Sequence, residues 1–197
     1  AFFCNNIIGF TRDLRLVEYM GGGDVVEIGT DASPWGLGGW LSINGRITRH
    51  FSDSISSCDE KLFGVTIGSS DGQQIWECLA ILVALRIWVE RWRNQRVNLK
   101  IRGDNVGSLL LALKMRPSSP QQAIVAREIA LLMTEASFPP DILHTPGAAH
   151  IVADLFSRAF APGNLGEATM FDHPALAQSV RRPVVARCSD YYRAFCA

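Results

Sequence analysis

DVVEIGTDASPWGLGGWLSINGRITRHFSDS, residues 24–54, carries the decisive pattern of this chain. VVEIGTDAS reads as a strand rich in β-branched residues and bounded by turn formers, GLGGWLSI as a second and RITRHFSDSI as a third. Asn44-Gly45 between the last two is the strongest short hairpin signal a sequence offers. An antiparallel meander is therefore predicted, with Asp31 near the end of its first strand and Ser33, Pro34 and several glycines just beyond it. Those glycines permit close approach of backbone or substrate.

Downstream, the period changes. Residues 56–74, SSCDEKLFGVTIGSSDGQQ, show no clear repeat and read as an extended connection. Asp71 and Gln74 match a helix-capping pattern ahead of IWECLAILVALRIWVERW, a helix apolar nearly all round and so expected to be buried. VNLKIRGD reads as a strand, DNVGSLLLALKM as a helix starting at its end, and the stretch opened by Pro120 as another helix. PDILHTPG is a final strand and AAHIVADLFSRAF a closing helix. This order predicts an α/β fold with a mixed five-stranded sheet, three antiparallel strands followed by parallel ones, and helices on both faces. Residues 1–23 are set apart by Gly21, Gly22 and Gly23, the main domain spans 24–160, and 161–197 read as a loosely ordered tail.

Four carboxylates lie at the edge or inside of these apolar elements: Asp31, Glu77, Asp104 and Asp154. An ionised carboxylate in apolar surroundings is costly unless a cation compensates it. Four of them, delivered by separate elements toward strand ends, point to a shared site for hard divalent cations, which take oxygen ligands. Two such ions about 4 Å apart activate a water on one side of a phosphodiester and stabilise the leaving oxygen on the other. Each residue also has a plainer reading. Asp31 suits a turn, Glu77 a first helical turn, Asp104 a helix N-cap, and Asp154 an i,i+4 pair with Arg158.

Composition narrows the class. The chain has 197 residues, 48% of them hydrophobic, and 19 basic against 19 acidic residues. No global basic field exists to gather nucleic acid, so any such affinity is local. Arg86, Arg91, Arg93, Arg96, Lys100 and Arg102 form a local excess that reads equally as a solvated face or a phosphate track. Cys4, Cys58, Cys78, Cys188 and Cys196 are scattered with no metal or dithiol spacing, which predicts reduced thiols and an intracellular setting. The most apolar run, residues 75–92, is interrupted by Glu77, Arg86, Glu90 and Arg91, which argues against a membrane span. The opening AFFCNNIIGFTRDLRL predicts a piece of a longer polyprotein.

TDASPWGLGG, Glu77 early in a long helix, GDN at a strand end, and HTPGAAHIVADLFSR together resemble the ribonuclease H domain of reverse transcriptases, in the DIRS-type or Ty3-type variant. The resemblance covers about residues 24–160, and its last motif is the most specific. It implies a ribonuclease H fold, two Mg2+ ions (or Mn2+ in their place), and cleavage of the RNA strand of an RNA–DNA hybrid. It also implies an upstream polymerase domain in the same polyprotein and Asp31, Glu77, Asp104 and Asp154 as metal ligands. Ser33, Asn105, His150 and Arg158 become auxiliary candidates, and Arg91, Arg93, Arg96 and Arg102 candidate nucleic-acid contacts. His150 stands where this variant usually has asparagine; an imidazole there has the chemistry to shuttle a proton. A transposase or integrase core shares the fold, and a non-catalytic scaffold of the same fold is the third reading.

Overall fold

The computed structural model describes residues 23–92, 97–134, 141–147, 150–164 and 173–192. The lead segment 1–22, Arg93 and Arg96 lie outside the described residues. Strands β1 (Asp24–Ala32), β2 (Gly36–Ile43) and β3 (Arg46–Ser54) form the meander. Asn44 and Gly45 both have positive φ, as the tight hairpin requires. The Asn44 amide adds a clasp, donating to the Asp24 carboxylate and accepting from the Val25 N–H.

Helix α1 (Ser57–Phe63) follows, then α2 (Gln73–Trp88), β4 (Val97–Gly103), α3 (Val106–Lys114), α4 (Pro120–Thr134), β5 (Asp141–His144), α5 (Ile151–Ser157) and β6 (Val180–Arg181). The sheet order is β5-β4-β1-β2-β3-β6, with β4 and β5 parallel to β1 and β6 parallel to β3. The mixed sheet thus follows the expected order, with one strand more than expected.

Helix α2 explains its own composition. Residues from Ile75 to Leu85 are all buried, because the sheet covers one side while α3 and α4 cover the other. By length and hydropathy residues 70–91 pass for a membrane span, yet 78% of the apolar 18-residue window within them is buried in the protein. Trp76, Trp88 and Trp92 are fully enclosed, with Trp88 against Phe51 of β3 and Trp76 edge-on to Phe63 of α1. On the opposite sheet face α5 packs on β1, β2 and β3. Gly38 makes this possible: a Cβ there would sit 2.5 Å from both Phe156 Cβ and Ser157 N. The glycines after Asp31 therefore admit the backbone of α5.

Three expectations change. Residues 57–63 are helical, opened by a reciprocal capping box between Ser56 and Asp59. Helix α2 lacks a side-chain cap, since Asp71 belongs to a short 3-10 turn capped by Ser69. Residues 173–192 are not a loose tail. They add β6 to the sheet edge, bury Leu176 and place Tyr191 and Tyr192 in the main core. Arg187 is 4% exposed and donates to the carboxylates of Asp53 and Asp59, while Tyr192 Oη donates to the other oxygen of Asp59. His50 is likewise interior, stacked on Phe156 with its Nδ1 on Ser179.

Candidate active site

The site grows from strand register. β1 and β4 are parallel partners as far as Gly29 and Arg102, so two further residues along each chain bring Asp31 beside Asp104. On its other flank Asp31 faces Gly38 of β2. The close approach of α5 over that glycine delivers Ser157, whose Oγ donates to Asp31 Oδ2 at 2.5 Å. Ser33 completes the joint: its hydroxyl donates to the Ser157 carbonyl at 2.6 Å and accepts from the N–H of Trp35 and of Gly36. Ser33 thus fixes the turn and the helix end around Asp31.

Glu77 arrives from α2 on the opposite face. Its Oε1 accepts from Gln73 Nε2 at 2.9 Å and from the Ala32 N–H at 3.4 Å. Gln73 Nε2 also donates to the Ala32 carbonyl at 2.6 Å, which ties the first turn of α2 to the end of β1. One amide therefore sets both the rotamer of Glu77 and its distance from the strand.

Asp104 is free of the capping duty the sequence allowed it. Asn105 is the N-cap of α3, accepting from Ser108 N at 3.1 Å, so the carboxylate one residue earlier projects elsewhere. His144 Nε2 donates to the Asp104 carbonyl at 3.1 Å, and Gly147 lies close to Asp104 Oδ2.

Ligand oxygens of Asp31, Glu77 and Asp104 all lie within 4.8 Å of one another. Asp31 is 5% exposed and Glu77 4%. Burial, partly relieved by Ser157 and aggravated by the charges of Asp104 and Asp154, raises the Asp31 carboxyl to about 6. Burial and then the fields of Asp31 and Asp104 hold Glu77 well above the usual carboxylate range, against the opposing hydrogen bonds of Gln73 and Ala32. Among the described residues no lysine or arginine forms an ion pair with any of the three. Three clustered oxygen donors with this uncompensated charge fit a hard divalent cation.

Asp154 stands at the edge of this group. It contributes to the field at Asp31 but is outside the trio, and its Oδ1 accepts from Arg158 Nε at 2.5 Å in an i,i+4 pair. His150 is 3% exposed and donates from Nε2 to the Thr30 carbonyl at 2.8 Å, pinning the start of α5 to β1 one residue before Asp31. Arg102 lies one strand over, its guanidinium forked onto Glu27 at 2.9 and 3.3 Å. Arg91 sits in the 3-10 turn that closes α2, at the far end of that helix from Glu77. Sequence reasoning missed Gln73 and Ser157. Gln73 is signalled by its i−4 position relative to Glu77, whereas nothing local marks Ser157 as a partner of Asp31.

No family model and no curated protein matches the chain. Among solved structures, the chain is similar to LC11-RNase H1, isolated from compost by a metagenomic approach, at 16% identity and a TM-score of 0.53. That match covers 68% of this chain and 93% of the other. The same enzyme in complex with an RNA/DNA hybrid matches at 17% identity and a TM-score of 0.53, covering 66% of this chain and 92% of that one. The ribonuclease H1 of the archaeon Halobacterium salinarum NRC-1 matches at 14% identity, a TM-score of 0.48 and 68% and 92% coverage. Strand order, helix placement and the LC11-RNase H1 superpositions agree: the chain has the ribonuclease H-like fold.

Proposed function

We propose that this protein is a divalent-metal-dependent ribonuclease that cuts the RNA strand of RNA–DNA hybrids, as part of a retroelement reverse transcriptase polyprotein in an intracellular setting. The observation that carries the reading is the convergence of Asp31, Glu77 and Asp104, from two strand ends and a buried helix, within 4.8 Å. Hybrid as substrate is supported by the fold shared with LC11-RNase H1, and the retroelement context by the four motifs and their order. Mg2+, with Mn2+ as a substitute, suits an all-oxygen donor set.

In this reading Asp31, Glu77 and Asp104 would hold one cation, and Asp154 would help to hold a second. When bound, the ions supply an activated water and charge stabilisation at the leaving oxygen. The remaining work belongs to the chain. Gln73 orients Glu77 and Ser157 orients Asp31. Both carboxylates are sunk below the surface while Asp104 remains more open, so substrate approaches from the side of Asp104. Recognition of the RNA strand falls to its 2′-hydroxyls and phosphates, since an A-like duplex is read by shape.

Gel analysis of a labelled hybrid with Mg2+ tests this. Cleavage confined to the RNA strand and abolished by Asp104→Asn, with the far-UV circular dichroism unchanged, is expected. Undiminished cleavage by that variant, or strand transfer on DNA ends instead, overturns the reading.

A further inference from the structure

Five arginines among the described residues are half-buried: Arg49, Arg86, Arg91, Arg102 and Arg182. Arg86 is paired with Glu128 and Arg102 with Glu27. The other three have no ion pair and no side-chain hydrogen bond among the described residues. They are also together.

Register places them. β6 runs parallel to β3 with Arg49 opposite Val180 and His50 opposite Arg181, and the Arg182 N–H continues the ladder onto the His50 carbonyl. Side chains alternate along a strand, so Arg49 and Arg182 project from the same sheet face as diagonal neighbours. That face is the one under α2, since Phe51, two residues from Arg49, meets Trp88. The turn Val89–Arg91 closing α2 brings Glu90 and Arg91 over it, and Arg86, Glu90, Arg182 and Asp190 line one cavity of about 650 Å3 with Pro183 and Val184. Among the described residues Glu90 acts on Arg49 with opposite sign, against two arginines. Burial and then the fields of Arg91 and Arg182 pull the Arg49 guanidinium below its ordinary affinity for a proton, a sign of unrelieved positive charge.

Half-buried guanidinium groups with no ion pair of their own are unfavourable unless a ligand supplies one. Their planar forks match phosphate oxygens in bidentate fashion. The chain carries no net charge, so affinity for a polyanion must come from a local excess of this kind. We propose that Arg49, Arg91 and Arg182 form a phosphate-binding patch that grips a nucleic-acid strand away from the carboxylate cluster. Glu77 and Arg91 are separated by most of α2, about 20 Å at 1.5 Å per residue, so the patch is a second contact rather than a wall of the cleavage site. The choice of nucleic acid as the polyanion rests on the nuclease reading above; the patch itself does not.

The test is fluorescence anisotropy of the full chain with a labelled 20-base-pair RNA–DNA hybrid in EDTA, titrated between 50 and 200 mM KCl. Each phosphate contact contributes about 0.9 to the slope of log K against log salt. The triple variant Arg49→Gln/Arg91→Gln/Arg182→Gln is expected to flatten that slope by about 2.7, and each single variant by about 0.9. Removing mutually repelling charges leaves the melting temperature unchanged or raised, so the loss is not one of folding. As a control, Arg116→Gln/Arg127→Gln, at exposed positions after α3 and on α4, is expected to change the slope by less than a single patch variant. An unchanged slope, the same flattening in the control, or equal displacement of hybrid by polyglutamate overturns the patch. Cleavage with Mg2+ is measured separately. A chain that cuts hybrid with an arginine-independent slope keeps the nuclease reading and loses the patch, whereas one that cuts nothing but shows the flattening keeps the patch.

Discussion

Replacing Asp31 by asparagine should stabilise the metal-free protein, and the amount follows from the site. Burial, Asp104 and Asp154 lift this carboxyl from 3.8 to about 6. At 1.36 kcal/mol per pH unit, keeping it ionised in the folded state costs ~3 kcal/mol. The folded state holds the proton more tightly than the unfolded chain, so stability is lost as pH rises from about 4 through about 6. Below that window the carboxyl is protonated in both states and the variant has no advantage; above it the full difference is present. The geometry survives, because an amide oxygen still accepts from Ser157 Oγ. Urea unfolding of both proteins in EDTA, at pH 4, 5, 6 and 7, reads the difference directly. The variant should gain ~3 kcal/mol near pH 7 and converge with the parent near pH 4. Saturating Mg2+ should then stabilise the parent and leave the variant unmoved. A variant less stable than the parent at pH 7, or a difference independent of pH, would refute an uncompensated charge at Asp31.

Other perturbations follow from the same contacts. Gln73→Ala removes one of the two hydrogen bonds that seat Glu77 and the tie from α2 to the Ala32 carbonyl, so Mg2+ affinity by calorimetry should fall several-fold, as expected for about 1 kcal/mol, with Gln73→Asn failing to restore it because its amide is one methylene short. Gly38→Ala drives a methyl into Phe156 and Ser157, and should cost about 1–3 kcal/mol in urea unfolding and reduce hybrid cleavage in parallel. Arg187→Met strands Asp59 without its counter-charge, a loss of about 3–5 kcal/mol that adding Asp59→Asn should partly restore; no loss in the single variant would count against a buried clasp.

Much of this architecture is legible in residue order because its causes are local. The Asn44-Gly45 hairpin needs positive φ at both positions, and few other pairs supply it. The all-round apolar face of α2 follows from its place between sheet and helices, and Asp104 is readable as the residue where a strand ends. What was hidden depends on partners far along the chain. Nothing near Arg187 announces Asp53 and Asp59, more than 120 residues away, so the C-terminal segment reads as a loosely ordered tail. β6 has two residues, too few for any alternation to show. Helix α1 spans seven residues, too short for a period to emerge, although Ser56 and Asp59 already held its capping signal. The site shows the same division. Its acidic residues stand out because each lies at the edge or inside of an apolar element, whereas the groups that aim them, Gln73 and Ser157, are ordinary polar residues whose partners only folding reveals. Asp154 is the instructive case: its helix pairing with Arg158 and its place beside Asp31 are both present.

The central claim is that Asp31, Glu77 and Asp104 make one divalent-cation centre, and anomalous diffraction from crystals soaked in Mn2+ addresses it without recourse to activity. The account predicts a peak bonded to oxygens of all three residues, lost in Asp104→Asn crystals. Strong manganese peaks elsewhere in the crystal, with none among these carboxylates, would contradict it.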